Sequence, residues 1–287
     1  MLPLLLALLP LLQVLPLAAP PSYVPARVYD TRQKAFSDLE VMLADLARAD
    51  AVFVGEQHDD PNTHRLELAI VEGLTRRGAP LVVALEMFER DVQSLLNKYL
   101  AGEIAEDQFR KESRPWPRYA TDYRPLVEFA KAHKLPIVAA NVPRRIASDI
   151  GRNGMSVVDG LGDDRKLAAR ELSCPTSGSY FDRFAKAMGG HAGANANFYF
   201  AQCVKDETMG EAVAEAFHTT TGRITIVHFS GAFHSDFGEG SVDSARRRMP
   251  GRRVAVVSVL PVADLDAITP AGDDLKRADY LLYTLKK

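Results

Sequence analysis

Four predicted strands each end next to a side chain that can transfer protons or bind a metal. The strands and the polar residues that follow them are Ala51–Val54 with Glu56 and His58, Leu81–Leu85 with Glu86, Ile137–Ala140 with Asn141, and Ile224–Phe229 with His234. In open α/β sheets, ligands bind outside the carboxyl ends of the strands. Carboxylates and imidazoles at one sheet edge suit acid–base catalysis or metal binding. We therefore expect these residues to form one site.

The first of these strand ends carries the sequence Gly-Glu-Gln-His at 55–58. Gly55 permits a tight turn, which would point Glu56 and His58 over the sheet edge. A glutamate beside a histidine can fix the imidazole tautomer, form an acid–base pair or bind a metal. The alternative interpretation is a polar surface turn, because two aspartates follow. His64, one turn into the next helix, either faces back toward the site or lies on the surface.

Glu86 follows a nearly unbroken apolar strand, so its carboxylate needs a cation, a histidine or a metal nearby. His234 follows Gly231 at the same spacing that separates His58 from Gly55, again after a strand. His228 lies inside that strand and is expected to be a hydrogen-bonded core histidine.

Aromatic and basic side chains could also bind a flat ligand. Arg118 lies in the aromatic and basic stretch 116–124, which could hold a propionate or phosphate or simply pack against the core. Tyr180, His191 and Tyr199 lie in the middle third of the chain, and a tyrosinate or imidazole there could ligate iron. As isolated residues they are better explained by structural roles.

The order of predicted elements indicates an α/β fold with a mostly parallel central sheet flanked by helices. Apolar residues at helical spacing alternate with the strands, and two further strands are predicted at Arg253–Leu260 and Tyr280–Leu285. Residues 150–218 break this alternation and are predicted to form a helical insertion or cap. We expect a signal peptide at 1–19, a linker at 20–34 and one domain over 35–287.

The composition and the first residues of the sequence indicate where in the cell the protein is expected to act. The leucine-rich run 1–18 has no charged side chain and is followed by small residues, which favours a secretory signal over a spanning helix. We expect the membrane to be contacted only through this segment. The net charge of −2 predicts no nucleic-acid partner. Cys174 and Cys203 form one disulfide in an oxidising compartment or remain two buried thiols.

Several stretches resemble the ChaN-like haem-binding family of the Tiki and erythromycin esterase-like superfamily. They are VFVGEQHDDPNTH (52–64), VVALEMFERDVQ (82–93), WPRYATDYRPLVEFAKAHKLPIVAANVPRRIA (116–147), FYFAQCVKDETMGEAV (198–213) and IVHFSGAFHSDFG (226–238). The resemblance implies haem binding and haem or iron uptake at the bacterial envelope. Relatives are often lipoproteins, but this leader has no cysteine, so we expect a periplasmic or secreted protein.

The resemblance also implies roles for particular residues. Tyrosine ligation of ferric haem at Tyr180 or Tyr199, with His191 and Arg118 in support, suits haem uptake, and a homodimer could enclose the flat ligand. The related enzymes imply an alternative, a hydrolase that uses the strand-end residues. In that case His58 is the general base and Glu56 orients it. Glu86 and His234 then bind substrate or, with His58, a divalent metal.

Overall fold

Eight strands form one mixed sheet in the computed structural model, which describes residues 24–189 and 196–287. The predicted signal peptide at 1–19 and His191 lie outside the described residues. The strands are β1 (Ala26–Asp30), β2 (Ala35–Ser37), β3 (Ala51–Glu56), β4 (Leu81–Glu89), β5 (Ile137–Asn141), β6 (Thr225–Gly231), β7 (Val254–Val262) and β8 (Tyr280–Leu285). Their order across the sheet is β2-β1-β8-β7-β3-β6-β4-β5.

Parallel pairing dominates the part of the sheet that carries the predicted site. Strand β3 lies between β7 and β6, and β4 lies between β6 and β5, all in parallel register. Only β1 pairs antiparallel, with β2 on one side and β8 on the other. The predicted α/β class with a mostly parallel sheet is therefore confirmed, and the carboxyl ends of β3, β4, β5 and β6 share one edge.

Ten α-helices accompany the sheet within the described ranges. They are α1 (Leu39–Leu46), α2 (Pro61–Arg76), α3 (Gln93–Leu100), α4 (Glu106–Ser113), α5 (Arg124–Ala132), α6 (Arg144–Asn153), α7 (Ser179–Ala187), α8 (Ala196–Thr219), α9 (Ser241–Arg248) and α10 (Asp274–Arg277). None of them combines the length and apolar character that a bilayer span requires.

The start of α2 shows how the local sequence positions the site. The Asp60 carboxylate accepts hydrogen bonds from the backbone N–H groups of Asn62 and Thr63, and Pro61 occupies the first helical turn. This cap fixes the beginning of the helix directly after the turn at 55–58. The buried face of α2 then carries His64 and Glu67 beside apolar residues of the core.

Strand β3 is buried on both faces, which places it at the centre of the core. Val52 and Val54 pack in the apolar cluster that includes residues of α1 and α2. Ala51 and Phe53 pack in a second cluster with residues of α8 and α9. Burial of alternate side chains on both faces fits a central parallel strand covered by helices.

The structure differs from the predicted linker over 20–34 and adds detail to the predicted insertion. Residues Ala26–Asp30 form β1, whose Val28 and Tyr29 are buried and which pairs with the distant β8. Within 150–218, α8 packs on β5 and contributes to the central core, whereas α7 lies in a small aromatic cluster. A disulfide between Cys174 and Cys203, with Cα atoms 5.7 Å apart, ties the segment before α7 to α8.

Candidate functional site

The sheet register brings the predicted strand ends to the same level. Glu56, the last residue of β3, is the register partner of Gly231 in β6. On the other side of β6, Leu85 pairs with Phe229, which places Glu86 at the same edge. The backbone N–H of Gly231 donates to Oε2 of Glu86 at 2.8 Å. The structure thus brings together the residues that the sequence placed at this edge.

Glu56 and His58 form a hydrogen-bonded pair through Nδ1 of the imidazole. The Glu56 side chain is fully buried, whereas 47% of the His58 side chain is exposed. Burial acts to lower the pKa of His58, but its hydrogen bond to Glu56 and the charges of Glu56 and Glu86 raise the pKa above its usual value. Burial likewise opposes ionisation of Glu56, yet the hydrogen bond from His58 lowers the pKa of Glu56. Each group thus favours the charged form of the other, and the pair is open to solvent on the His58 side.

Two glycines make this arrangement sterically feasible. A Cβ on Gly55 would lie 2.8 Å from Oγ of Ser235 and 2.9 Å from Cα of Ala232. A Cβ on Gly231 would lie 2.7 Å from Nε2 of His58. Real Cβ atoms do not approach other atoms this closely, so both positions require glycine, and a side chain at 231 would collide with the Nε2 edge of the His58 ring.

Glu86, His234 and Asp206 form a second, buried set. Nε2 of His234 lies 3.3 Å from Oε1 of Glu86, and Nδ1 lies 2.7 Å from Oδ1 of Asp206. Although burial opposes the charge, the two carboxylates raise the pKa of His234 to about 10. Burial also opposes ionisation of Glu86, but the charge of His234 lowers the pKa of Glu86 well below its usual value. This set holds an imidazolium between two carboxylates.

Asp206 was not predicted from the sequence. It lies on α8 and is buried, although it is charged. A usable signal existed, because Asp206 lies three residues from both Cys203 and Met209, which are buried on the same helix. A charged residue within a buried helical face needs a partner, and His234 is that partner.

The two predicted haem-ligating tyrosines lie close together, but the hydroxyl of each already donates a hydrogen bond within the protein. The Tyr180 hydroxyl donates to Asp206, and burial together with that charge raises the pKa of Tyr180 well above its usual value. Tyr199 is buried, and its hydroxyl donates to the Pro175 carbonyl at 2.7 Å. Burial raises the pKa of Tyr199 to about 12. Both phenols are therefore held in the neutral form by their surroundings.

A cavity of about 300 Å³ lies beside these tyrosines and the disulfide. Its lining includes Tyr180, Tyr199, Asp206, Glu207 and Arg247. This volume is at the lower end of the range for drug-sized ligands, so a macrocycle as large as haem does not fit inside it.

Arg118 lies with a different group of residues. Its Nε is 2.7 Å from Oδ2 of Asp122, and its guanidinium donates to the backbone carbonyl of Asp59 at 3.0 Å. The same Asp122 oxygen lies 3.5 Å from Nε2 of His64. Arg118 is thus on the Glu56 side of the site, and the structure does not join it with Tyr180 and Tyr199.

His64 faces the site rather than solvent, which resolves the two interpretations left open by the sequence. It is 4% exposed, and its Nδ1 lies 3.2 Å from Oε2 of Glu67 and 3.7 Å from Oε2 of Glu56. Burial and the Glu56 charge raise the pKa of Glu67 well above its usual value. Glu67 was not predicted, although its position three residues after His64 places it on the same helix face.

Potential metal ligands cluster at a place other than the predicted one. Among the described residues, three such ligand atoms come within 4.8 Å of one another in Glu56, His64 and Glu67. The predicted set of His58, Glu86 and His234 does not form such a group. The reason is that His58 turns its Nδ1 toward Glu56 and His234 is held between Glu86 and Asp206.

His228 and Asn141 have supporting positions. His228 is fully buried within β6, its Nδ1 donates to the Ala84 carbonyl at 3.1 Å, and burial lowers its pKa to about 4. It is therefore a neutral, hydrogen-bonded core histidine, as predicted. Asn141 donates from Nδ2 to the Glu86 carbonyl at 3.1 Å and so braces the strand that carries Glu86.

The fold and the site define an α/β protein with two histidine–carboxylate sets at the carboxyl ends of neighbouring parallel strands. The chain belongs to the family described as haem-binding uptake, Tiki superfamily, ChaN, whose model matches residues 42–244.

Other known proteins are similar to this chain in sequence or in fold. The chain is 26% identical over 240 residues to Protein RETICULATA-RELATED 5, chloroplastic, of Arabidopsis thaliana, covering 75% of this chain and 32% of that protein. It therefore spans about a third of that relative. The structure of ChaN of Campylobacter jejuni, with cofacially bound haem, matches with a TM-score of 0.64 and 18% identity over 91% of this chain and 97% of that one. A Bacillus cereus protein matches with a TM-score of 0.51 and 12% identity over 85% and 90%. At these identities, the structural matches establish the fold alone.

Proposed function

We propose that this chain binds haem, with His58 as the iron ligand and Glu56 as the carboxylate that orients it. This proposal rests on the position of the His58 ring, which contacts a buried carboxylate on one side and is exposed on the other. Nδ1 is bonded to the buried carboxylate, while about half of the side chain is exposed. Histidines that ligate metals usually donate their other ring N–H to a carboxylate or carbonyl, which fixes the tautomer and the ring orientation.

The surroundings of His58 fit one face of a haem. Trp116 packs edge-on against the imidazole with ring centroids 5.2 Å apart, and so offers an aromatic surface beside the ligand. Arg118 lies close in the chain and is partly exposed, which suits a contact with a propionate. Gly231 leaves the Nε2 side of the ring free of a side chain. When bound, haem would supply an iron centre for ligand exchange or electron transfer.

The tyrosines fit this role less well. The Tyr180 hydroxyl must give up its bond to Asp206, and Tyr199 must leave the interior, before either oxygen can reach an iron atom. Both changes cost buried hydrogen bonds. For this reason we assign the ligand to His58 and give the tyrosines a structural role around the disulfide.

An exposed haem ligand leaves the opposite face of the haem to be covered. We infer that a second copy of this chain covers it. The cofacial haem binding of Campylobacter jejuni ChaN supports this arrangement. A role in haem or iron uptake at the bacterial envelope, in the periplasm or outside the cell, is supported by the leucine-rich leader and by the Cys174–Cys203 disulfide, which suits an oxidising compartment.

A haemin titration of the purified protein tests this proposal. Wild-type protein is expected to show a saturable Soret shift, which His58→Ala abolishes. His133→Ala is the matched control, because His133 is an exposed histidine at the end of α5 that contacts Phe129 rather than the residues around His58. Tyr180→Phe and Tyr199→Phe are expected to retain the shift. An absent shift in wild type, or an unchanged one in His58→Ala, would overturn the assignment.

A second function is supported by the buried set beside His58. Glu86 accepts a hydrogen bond from the Gly231 N–H and faces His234, and this buried charged pair is held in place. It lies next to the Glu56–His58 pair, which solvent can reach. Neighbouring titratable groups with opposite pKa shifts are common at catalytic sites, including those of hydrolases. In this case His58 exchanges a proton with water or substrate. Hydrolysis of simple esters or amides, lost in both Glu86→Gln and His58→Ala, would support this activity, and its absence in wild type would contradict it.

A further inference from the structure

The imidazole of His64 is surrounded by hydrogen-bond acceptors on both sides. Its Nε2 lies 3.2 Å from the His58 backbone carbonyl and 3.5 Å from Oδ2 of Asp122. The His58 carbonyl oxygen can only accept a hydrogen bond, so Nε2 carries a proton. In a neutral imidazole Nδ1 then bears the lone pair.

Nδ1 faces two further acceptors. Oε2 of Glu67 lies 3.2 Å away and Oε2 of Glu56 lies 3.7 Å away. A lone pair and two carboxylate oxygens repel one another unless a cation lies among them. That cation is either a proton or a metal ion.

The hydrogen bonds around the cluster leave carboxylate oxygens without partners. Oε1 of Glu56 receives hydrogen bonds from His58 and from the Tyr123 hydroxyl, but Oε2 of Glu56 receives none. Oε1 of Glu67 also has no partner. These side chains are at most 1% exposed, so solvent does not compensate. Buried polar atoms without partners are uncommon in folded proteins and are typical of places that hold a water molecule or an ion.

The spacing of the three ligand atoms matches a transition-metal site. In tetrahedral zinc sites the bonds to histidine and carboxylate measure about 2.0–2.2 Å, which places neighbouring ligand atoms roughly 3.3–3.6 Å apart. The separations of 3.2 and 3.7 Å from Nδ1 bracket that range, and all three atoms lie within 4.8 Å of one another. An ion would therefore need only small side-chain shifts.

The residues around His64 resemble the outer shell of a metal site. Its Nε2 faces Asp122, which is itself held by Arg118 at 2.7 Å. A carboxylate or carbonyl on the far nitrogen is the usual device that orients a metal-binding histidine. Asp122, Arg118 and the His58 carbonyl thus fix the ring with Nδ1 toward the two glutamates.

We propose that Glu56, His64 and Glu67 form a binding site for a divalent transition-metal ion. The donor set of one imidazole and two carboxylates, with no thiolate, suits Zn²⁺, Mn²⁺ or Co²⁺. Glu56 links this site to the proposed haem ligand, since Oε1 contacts His58 and Oε2 faces the metal position. The metal proposal does not depend on haem binding, because it concerns different ligand atoms and the haem-free protein.

Cobalt binding to untagged, chelator-treated, haem-free protein tests the site. Wild type is expected to bind one equivalent of Co²⁺, to develop visible d–d absorption bands and to melt at a higher temperature. Glu67→Gln is expected to lose these changes. Glu72→Gln is the matched control, because Glu72 lies on the same helix but outside the buried cluster.

Each result decides between a metal and a proton. Failure of wild type to bind Co²⁺ or Zn²⁺ would overturn the proposal and leave a shared proton as the cation in the cluster. Wild-type binding by Glu67→Gln would also overturn it. If that variant does not fold, X-ray absorption of cobalt-loaded wild type decides. One imidazole with oxygen ligands supports the site, whereas two imidazoles, or none, contradict it.

Discussion

The side chains of Glu86 and His234 meet across the neighbouring strands β4 and β6, with Oε1 of Glu86 3.3 Å from Nε2 of His234. Gly231 fixes the other oxygen of Glu86, and Asp206 fixes the other nitrogen of His234. A buried ion pair with both ends held in this way is sensitive to the loss of any one member, because a remaining unpaired charge is costly to bury.

The first prediction concerns the pH dependence of stability. The folded pKa of His234 is about 10, above its unfolded value, so the stabilisation is fully present below about pH 6.5 and is lost as the pH rises toward 10. Between pH 7 and 9 the free energy of unfolding should fall by up to about 1.4 kcal/mol per pH unit. Urea unfolding measures this slope. His234→Gln should flatten it, whereas His133→Gln should not. An equal slope in both variants would contradict the assignment.

The pair also predicts acid sensitivity through Glu86. The folded pKa of Glu86 is lowered, so its stabilisation is present above its unfolded pKa and is lost as the pH falls below that value. Glu86→Gln should therefore unfold with a weaker dependence on acid than wild type. Acid titration followed by circular dichroism compares the two, and Glu72→Gln provides the control. Identical midpoints and slopes in wild type and Glu86→Gln would exclude this role for the pair.

A third prediction concerns the effect of Asp206 on the pKa of His234. Replacing it with asparagine removes a negative charge next to His234, which should lower the pKa of His234 from about 10 toward its ordinary value. Loss of the charged hydrogen bonds should also cost about 1–3 kcal/mol of stability. NMR titration of the histidine rings measures the pKa. Asp243→Asn, on the exposed side of α9, should leave it unchanged. An unaltered His234 pKa in Asp206→Asn would refute the coupling.

Gly231 provides a fourth prediction. In Gly231→Ala the new Cβ would lie 2.7 Å from Nε2 of His58 and would displace the ring. Haemin binding should weaken by at least tenfold while the fold is retained, as circular dichroism would verify. Gly160→Ala is the control, because a Cβ there meets no atom within 4 Å. Haemin binding by Gly231→Ala at wild-type affinity would show that Nε2 does not face the ligand.

The disulfide makes a fifth prediction. Cys174 and Cys203 are 29 positions apart, and closing a loop of this length contributes about 3–4 kcal/mol in the chain-entropy model. The double variant with both cysteines changed to serine should lose stability of this order. Urea unfolding of wild type under oxidising and reducing conditions gives an independent comparison. If reduction leaves the unfolding midpoint unchanged, the bond does not stabilise the fold.

Much of the site could be predicted because one rule relates sequence to position in parallel sheets. Polar residues at the ends of apolar strands must meet at the carboxyl edge, and Glu56, His58, Glu86 and His234 all follow this rule. The rule gives the edge but not the pairing. Glu56 and His58 lie on one turn, so their pairing could be predicted from the sequence. The contact between Glu86 and His234 depends on β4 lying beside β6, and a single sequence does not specify that strand order.

The partners on helices were harder to predict. Asp206 and Glu67 lie among apolar residues of α8 and α2, and helical spacing indicates a buried face without saying what it contacts. Strand β1 was missed for a related reason, since its partner β8 lies at the other end of the chain. A short segment that pairs at such distance carries little local signal beyond its β-branched and aromatic residues.

The central claim, iron ligation by His58, is tested most directly by imidazole rescue. In His58→Gly the haemin Soret shift should be lost, and added imidazole should restore it by binding the iron in the space that the side chain leaves. His133→Gly should behave as wild type with or without imidazole. Restoration of the wild-type spectrum in His58→Gly alone is the predicted result. A wild-type Soret shift in His58→Gly without imidazole would contradict the account.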